Sequence, residues 1–329
     1  MRSIDLLLGR RRLLATAALA PAGAAAQDGG AWPNRPVRAV VPYPPGGPND
    51  IIARLYAQAL GPILGQTVLV ENRAGGSGVS GTDFVVKSPA DGYVFGIIDG
   101  GSLTILPHTQ PRMPYRVPEE VTPLSVVTRV PEALVAHPGL GVTTMPALLD
   151  LARRQPGRLN IGTAGAAGIS HLTALLFRAQ TGAAVEVVPY RGAAPAVTDL
   201  IAGQIQLLFA DLPPLLPHIR AGAMTPLALA ARQRSPALPE VPTTGEVGFP
   251  KLLAENWYCA VAPRGLPPPI AARLSAALKD ASEAPGVRRE LASQGAEAAW
   301  TSPEAMLALM REDSENWRQI VLASGVRSE

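Results

Sequence analysis

The chain has 329 residues, 47% of them hydrophobic, with a formal net charge of +3 and a single cysteine. At roughly 100 to 200 residues per domain, that length has room for two substantial cores. One cysteine excludes an intramolecular disulfide and a multi-cysteine metal site, and arginines scattered singly, without aromatic neighbours, exclude a nucleic-acid footprint.

The first segment reads as a leader. Arg10, Arg11 and Arg12 precede the apolar run Leu13 to Pro21 and the small residues Ala24-Ala25-Ala26. Basic, apolar and small stretches in that order predict a signal peptide over residues 1–26, and the arginine pair before Leu13-Leu14 resembles a twin-arginine signal. The apolar run falls short of the about 20 residues that a membrane-spanning helix needs, and no later stretch is both long enough and free of charge. The mature chain is therefore expected to be exported, soluble and not membrane-spanning.

Beyond the leader, strands are predicted at Val37 to Tyr43, Thr67 to Glu71 and Tyr93 to Ile98, alternating with helices, which implies a parallel α/β sheet. The first helix places Ile51, Ile52, Leu55, Ala59 and Leu60 toward the sheet and turns Arg54 and Gln58 away. Leu124 to Arg129 and Leu134 to His137 read as two strands joined by a short turn, where the chain crosses to a second lobe. That lobe repeats the pattern: strand Leu159 to Thr163, helix Ser170 to Thr181, strand Val185 to Pro189, a helix, and strand Ile205 to Ala210. The return crossing is placed near Ala254 to Tyr258, followed by strand Trp257 to Ala262, in which Cys259 is expected to be packed. Three helices complete the chain at Pro268 to Ser282, Pro285 to Gln294 and Ser302 to Ser324. The expected fold is an α/β, two-lobed clamp of the Venus-flytrap kind, with residues 33–130 plus 255–329 in one lobe and 131–254 in the other.

Three glycine-rich turns each follow a strand and open a helix. Such turns set backbone N–H groups and the positive end of a helix dipole at the carboxyl edge of the sheet, where anions bind. The first runs through Gly46, Gly47, Pro48, Asn49 and Asp50; the second holds Gly76 and Ser77; the third runs from Thr163 through Ala164, Gly165 and Ala166 to Gly168. Any one of them alone is also explained as a tight connection. Asp50 is read first as a cap of its own helix. Arg191 is either a strand-end turn residue or an anion contact.

The order of motifs resembles a family. Val41-Pro42-Tyr43-Pro44-Pro45-Gly46-Gly47-Pro48-Asn49-Asp50, Val70-Glu71-Asn72-Arg73, Asp91-Gly92-Tyr93 and Val188-Pro189-Tyr190-Arg191-Gly192 are similar to the periplasmic receptors of tripartite tricarboxylate transporters, the Bug family. Asp199-Leu200, Val241-Pro242-Thr243 and Trp257 extend the likeness over nearly the whole mature chain. The resemblance implies a periplasmic receptor that closes two lobes on a small organic carboxylate and delivers it to the membrane components of such a transporter, with no catalysis and no cofactor. It places Tyr43 to Asp50, Gly76 and Ser77, the third turn up to His171, and Asp211 around the ligand. Two positions depart from the family pattern, which usually has phenylalanine where Tyr43 stands and serine or threonine where Gly168 stands.

Two other chemistries have partial motifs. Gly76-Ser77-Gly78-Val79-Ser80-Gly81 fits G-x-G-x-x-G with Asp99 at a later strand end, as in an exported nicotinamide-dependent oxidoreductase. Glu71 to Gly75 intervene, however, where the fingerprint sets its first glycine at the end of the strand. A hydrolase lacks support: Ser170 and His171 are adjacent on a helix and so do not face each other, no G-x-S-x-G elbow exists, and the four histidines have no catalytic or zinc spacing. His171 is equally well read as a structural residue of the third turn.

Overall fold

A computed structural model describes residues 32–324, and the expected leader, residues 1–26, lies outside them. From Pro33 onward the chain packs as one unit. Val37–Val41 (β1) is followed by Pro48–Leu64 (α1), Val68–Asn72 (β2), Val79–Val86 (α2) and Val94–Asp99 (β3). β1 lies between β2 and β3 and runs parallel to both, as strand–helix–strand units require. α1 buries Ile52, Ala53, Tyr56 and Leu60, so its sheet-facing stripe is turned slightly from the expected one, while Arg54 and Gln58 remain exposed.

Two short helices, Gly100–Thr104 (α3) and Leu106–Thr109 (α4), lead to Val121–Ala136 (β4), a single strand of 16 residues. The two strands and turn expected here are thus one element. Val130-Pro131-Glu132 looks like punctuation in the sequence, yet it marks a change of partner within a continuous ladder. The stretch Val121 to Pro131 pairs antiparallel with Glu255–Pro263, and Glu132 to Ala136 pairs antiparallel with Leu207–Asp211. Pro131 contributes no N–H, but Glu132 N–H donates to Ala254 O at 3.0 Å and Glu132 O accepts from Ala230 N–H at 2.8 Å, so the backbone stays satisfied through the crossing.

The second half contains Met145–Arg154 (α5), Leu159–Thr163 (β5), Ile169–Thr181 (α6), Val185–Pro189 (β6), Ala193–Ile201 (α7), Leu207–Asp211 (β7), Leu212–Arg220 (α8) and Thr225–Leu229 (β8). β5 lies between β6 and β7, parallel to both, repeating the arrangement around β1. Neither α5 nor β8 was expected from sequence. Glu255–Pro263 (β9) returns the chain to β3 and β4, and Pro268–Glu283 (α9), Pro285–Ser293 (α10), Glu297–Ala298 (β10) and Pro303–Ser324 (α11) follow. α9 packs on α1 and β4, and α11 on α3 and β4. The strand order β2-β1-β3-β9-β4-β7-β5-β6 makes β4 and β9 the antiparallel seam between two parallel halves. Cys259 is fully buried in that seam, as expected, with its thiol donating to Ile98 O. No helix among the described residues is long and apolar enough to cross a membrane.

Candidate functional site

The carboxyl ends of the parallel strands in both halves meet at a narrow cavity of about 40 Å³. Gly47, Gly168 and Gly192 line it, and each is the residue just before a helix, α1, α6 and α7 respectively. None of these helix starts has a side-chain cap, so their amides and dipoles are open to an anion in the cavity.

The three turns are built differently. In the first, Asp50 accepts from Gly46 N–H at 3.0 Å, from Arg54 Nε at 2.9 Å and from Asn72 Nδ2 at 2.9 Å. Burial works to raise its pKa, but these hydrogen bonds bring the carboxyl below its ordinary value, so Asp50 is an ionised brace for the turn. Asp50 and Gly46 stand outside the cavity wall, whereas Tyr43, Gly47, Pro48 and Asn49 form part of it. The Tyr43 hydroxyl donates to Ser77 O at 2.9 Å. The Tyr43 hydroxyl is thus taken up by the second turn.

In that second turn the backbone is left-handed at Gly75, Gly76, Ser77 and Gly78. The glycine run serves close packing: a Cβ at Gly81 would fall 2.5 Å from Pro42 Cα and 2.6 Å from Arg73 O, both backbone atoms. Ser77 Oγ accepts from Ala166 N–H at 3.2 Å, which ties the second turn to the third across the cleft. Ser77 and Ala166 thus form the contact between the turns, with Gly165 beside Ser77; neither these three nor Gly76 line the cavity, while Ala164 and Gly168 do. Ala164 N–H already donates to Ser170 Oγ at 2.9 Å, so the third turn offers fewer free amides than its glycine content suggests. His171 is half-buried on α6, outside the cavity wall, and burial followed by nearby Arg178 holds its pKa below the ordinary value.

Asp211 stands in the cavity wall, together with residues the sequence did not single out as ligand contacts: Asp99, Glu132, Asn256 and Tyr258. Asp211 Oδ2 accepts from Asn256 Nδ2 at 3.1 Å and from the Tyr258 hydroxyl. Asp99 accepts from Ser102 N–H at 3.0 Å and from its hydroxyl at 2.8 Å, capping α3. Burial raises all three carboxyl pKa values: Asp211 is pushed up to about 7, Glu132 well above its usual range by burial and by Asp211, and Asp99 upward against the Ser102 bonds. No Lys, Arg or His lines this cavity. A larger cavity of about 810 Å³ lies at the seam, walled by Arg129, Arg232, Arg234 and Arg288, and no helix start opens into it.

Residues 52–326 match the profile of the tripartite tricarboxylate transporter family receptor. Protein BugT of Bordetella pertussis is 36% identical over 320 residues, 96% of this chain and 98% of its own length. The chain belongs to the tripartite tricarboxylate receptor family. Among solved structures, Rpa4515 of R. palustris with adipate superposes with a TM-score of 0.87 at 33% identity, covering 90% of this chain and 99% of that one. MatC of Rhodopseudomonas palustris with bound malate gives 0.82 at 29% identity, covering 88% and 100%. The fold of this receptor is accordingly that of periplasmic binding proteins, with the cavity between its two lobes. In such a receptor the three uncapped helix starts are the elements suited to an acidic solute, and the carboxylate cluster is the unexpected component.

Proposed function

We propose that this receptor is exported by residues 1–26, works in the periplasm, captures a small organic carboxylate between its lobes and presents it to the membrane components of a tripartite transporter. The lobes divide at the seam, with residues 33–130 plus 255–329 on one side and 131–254 on the other; Pro131 pairs with Glu255 where both crossing strands pass. The observation that carries the reading is the convergence of α1, α6 and α7 on one cavity without a side-chain cap. Backbone amides then hold the carboxylate without an arginine, and the lobes close because the ligand bridges them. The shift toward the closed state is limited by the difference in affinity between closed and open forms. The proposed role is binding with no chemical step, which the family match to a transporter receptor supports.

The relatives whose structures hold adipate and malate support a small organic acid as the solute class. A thermal-shift screen of the purified protein against mono-, di- and tricarboxylates, amino acids, amides and nicotinamide cofactors tests the reading. A ligand at about 100 times its dissociation constant adds roughly 2.7 kcal/mol of stability. The expected result is a rise in Tm with a carboxylate class that is abolished by Gly47→Val, which sets a branched side chain in the cavity wall. Stabilisation by a nicotinamide cofactor alone would overturn it.

A further inference from the structure

The inner wall of the cavity carries Asp99, Glu132 and Asp211 with no basic side chain beside them. The fold does not require this. Glu132 and Asp211 stand directly opposite each other on β4 and β7, and like charges in that position destabilise a sheet. At 1% and 4% exposure they lack the water that would screen them, so the arrangement disfavours the empty protein when both are ionised. Buried ionisable clusters lining a cavity are candidates for functional sites.

An independent observation comes from Asn256, which is 4% exposed. Its Nδ2 donates to Asp211 Oδ2 at 3.1 Å and to the Tyr258 hydroxyl oxygen at 3.2 Å, which uses both amide hydrogens. That network sets the orientation of the amide, because the reversed amide would put its oxygen against the carboxylate. Asn256 Oδ1 is left buried with no donor, as are Glu132 Oε2 and Asp211 Oδ1. Every unpartnered buried side-chain atom on this wall is therefore an acceptor. A proton shared between Glu132 and Asp211 can serve that pair but does nothing for Asn256. An ammonium group offers three donors, no acceptor and a positive charge, which is the chemistry that three buried acceptors on an acidic wall call for.

We propose that the inner end of the cavity is a subsite for a protonated nitrogen, so that the solute is an amino-carboxylate whose ammonium meets Glu132, Asp211 and Asn256. Its carboxylate meets the helix starts at Gly47, Gly168 and Gly192. This rests on the reading of the protein as a carboxylate receptor and narrows it to a ligand with charges of both signs. The titratable groups around Asp211 are Glu132 on β4, Asp99 at the end of β3 and Tyr258 on β9, and Asp99 in turn faces Tyr43, Tyr115 and Cys259. All are acidic, so no neighbouring cation competes with the ligand. Binding of the ammonium displaces protons held by the Glu132–Asp211 pair, and affinity rises from pH 5 to pH 8.

The test is isothermal titration calorimetry of the purified protein with dicarboxylates, ω-amino acids and diamines of two to six carbons, together with the α-amino acids, at pH 5 and pH 8. An amino-carboxylate is expected to bind at least about tenfold tighter than the dicarboxylate of equal length, a difference of about 1.4 kcal/mol. It is expected to bind tighter at pH 8, and the double change Glu132→Gln with Asp211→Asn is expected to reverse the order. The selectivity measurement uses the unaltered protein, so a variant that fails to fold does not remove the test. Tighter binding of the dicarboxylate, or no binding by any amine-bearing compound, overturns the nitrogen subsite; a dicarboxylate that does bind leaves the receptor reading intact. Binding by diamines but by no carboxylate-bearing compound supports the subsite and overturns the carboxylate reading instead.

Discussion

Replacing Asp211 by asparagine separates the electrostatic argument from packing, because the two side chains have nearly the same shape. The amide oxygen of the new side chain still accepts from Tyr258 and Asn256, and its NH2 group gives Glu132 a donor where it now faces a carboxyl. A carboxyl whose folded pKa lies above its unfolded value holds an excess proton in the folded state between the two. The stability it contributes is full below the unfolded pKa and is lost as pH rises through the folded one. For Asp211 that window runs from 3.8 to about 7. Each excess proton corresponds to a slope of about 1.4 kcal/mol per pH unit. Between pH 5 and pH 8, removing this titration shifts the variant relative to the parent by of the order of 2 kcal/mol. Glu132 acts in the same direction, and its pKa falls once Asp211 no longer faces it. Urea denaturation followed by tryptophan fluorescence at intervals from pH 5 to pH 8 reads the difference, and titrations common to both proteins cancel. The variant is expected to gain on the parent steadily from pH 5 to pH 8, by that amount in all. Parallel curves, or a variant that loses ground as pH rises, would refute the reasoning about the buried pair.

Gly81→Ala is expected to cost about 1 to 3 kcal/mol, since the three atoms crowding the new Cβ are two backbone atoms and the ring Cβ of Pro42, none of which can rotate away; an unchanged Tm would contradict that packing. Ser77→Ala removes the acceptor for Ala166 N–H across the cleft. A net hydrogen bond of about 1 kcal/mol corresponds to roughly fivefold weaker ligand binding by calorimetry, and unaltered affinity would show that the bridge does not favour closure. Gly168→Ser should be accepted without strain, because the residue has φ −89° and no atom within 4 Å of the added Cβ. As a better cap for α6 it is expected to leave Tm unchanged or raise stability by a few tenths of a kcal/mol, and a marked loss would argue against the described helix start.

Local chemistry made much of this protein legible from its residues. Short β-branched runs and 3.6-residue periodicity located β1 to β3, β5 to β7, β9 and the helices α1, α6 and α9 to α11 within a few residues, because those signals depend on neighbours along the chain. The motif order from Val41 to Asp50 and onward was enough to recognise the family, and glycines before helices pointed to Gly47 and Gly168 in the cavity wall. Tertiary structure alone decided the rest. Val130-Pro131-Glu132 carries the local marks of a turn, yet pairing with β9 and β7 holds it extended, since hydrogen bonds from distant strands outweigh a local preference. Gly76, Ser77, Gly165 and Ala166 have the composition of anion-binding loops, but Ser77 and Ala166 bond to each other, because the fold brings the second and third turns into contact. Asp211 was placed near the ligand by resemblance, but the cluster around it was not legible: Asp99, Glu132 and Asn256 lie far apart in sequence, and only the crossing of β4 and β9 between the two halves makes them its neighbours.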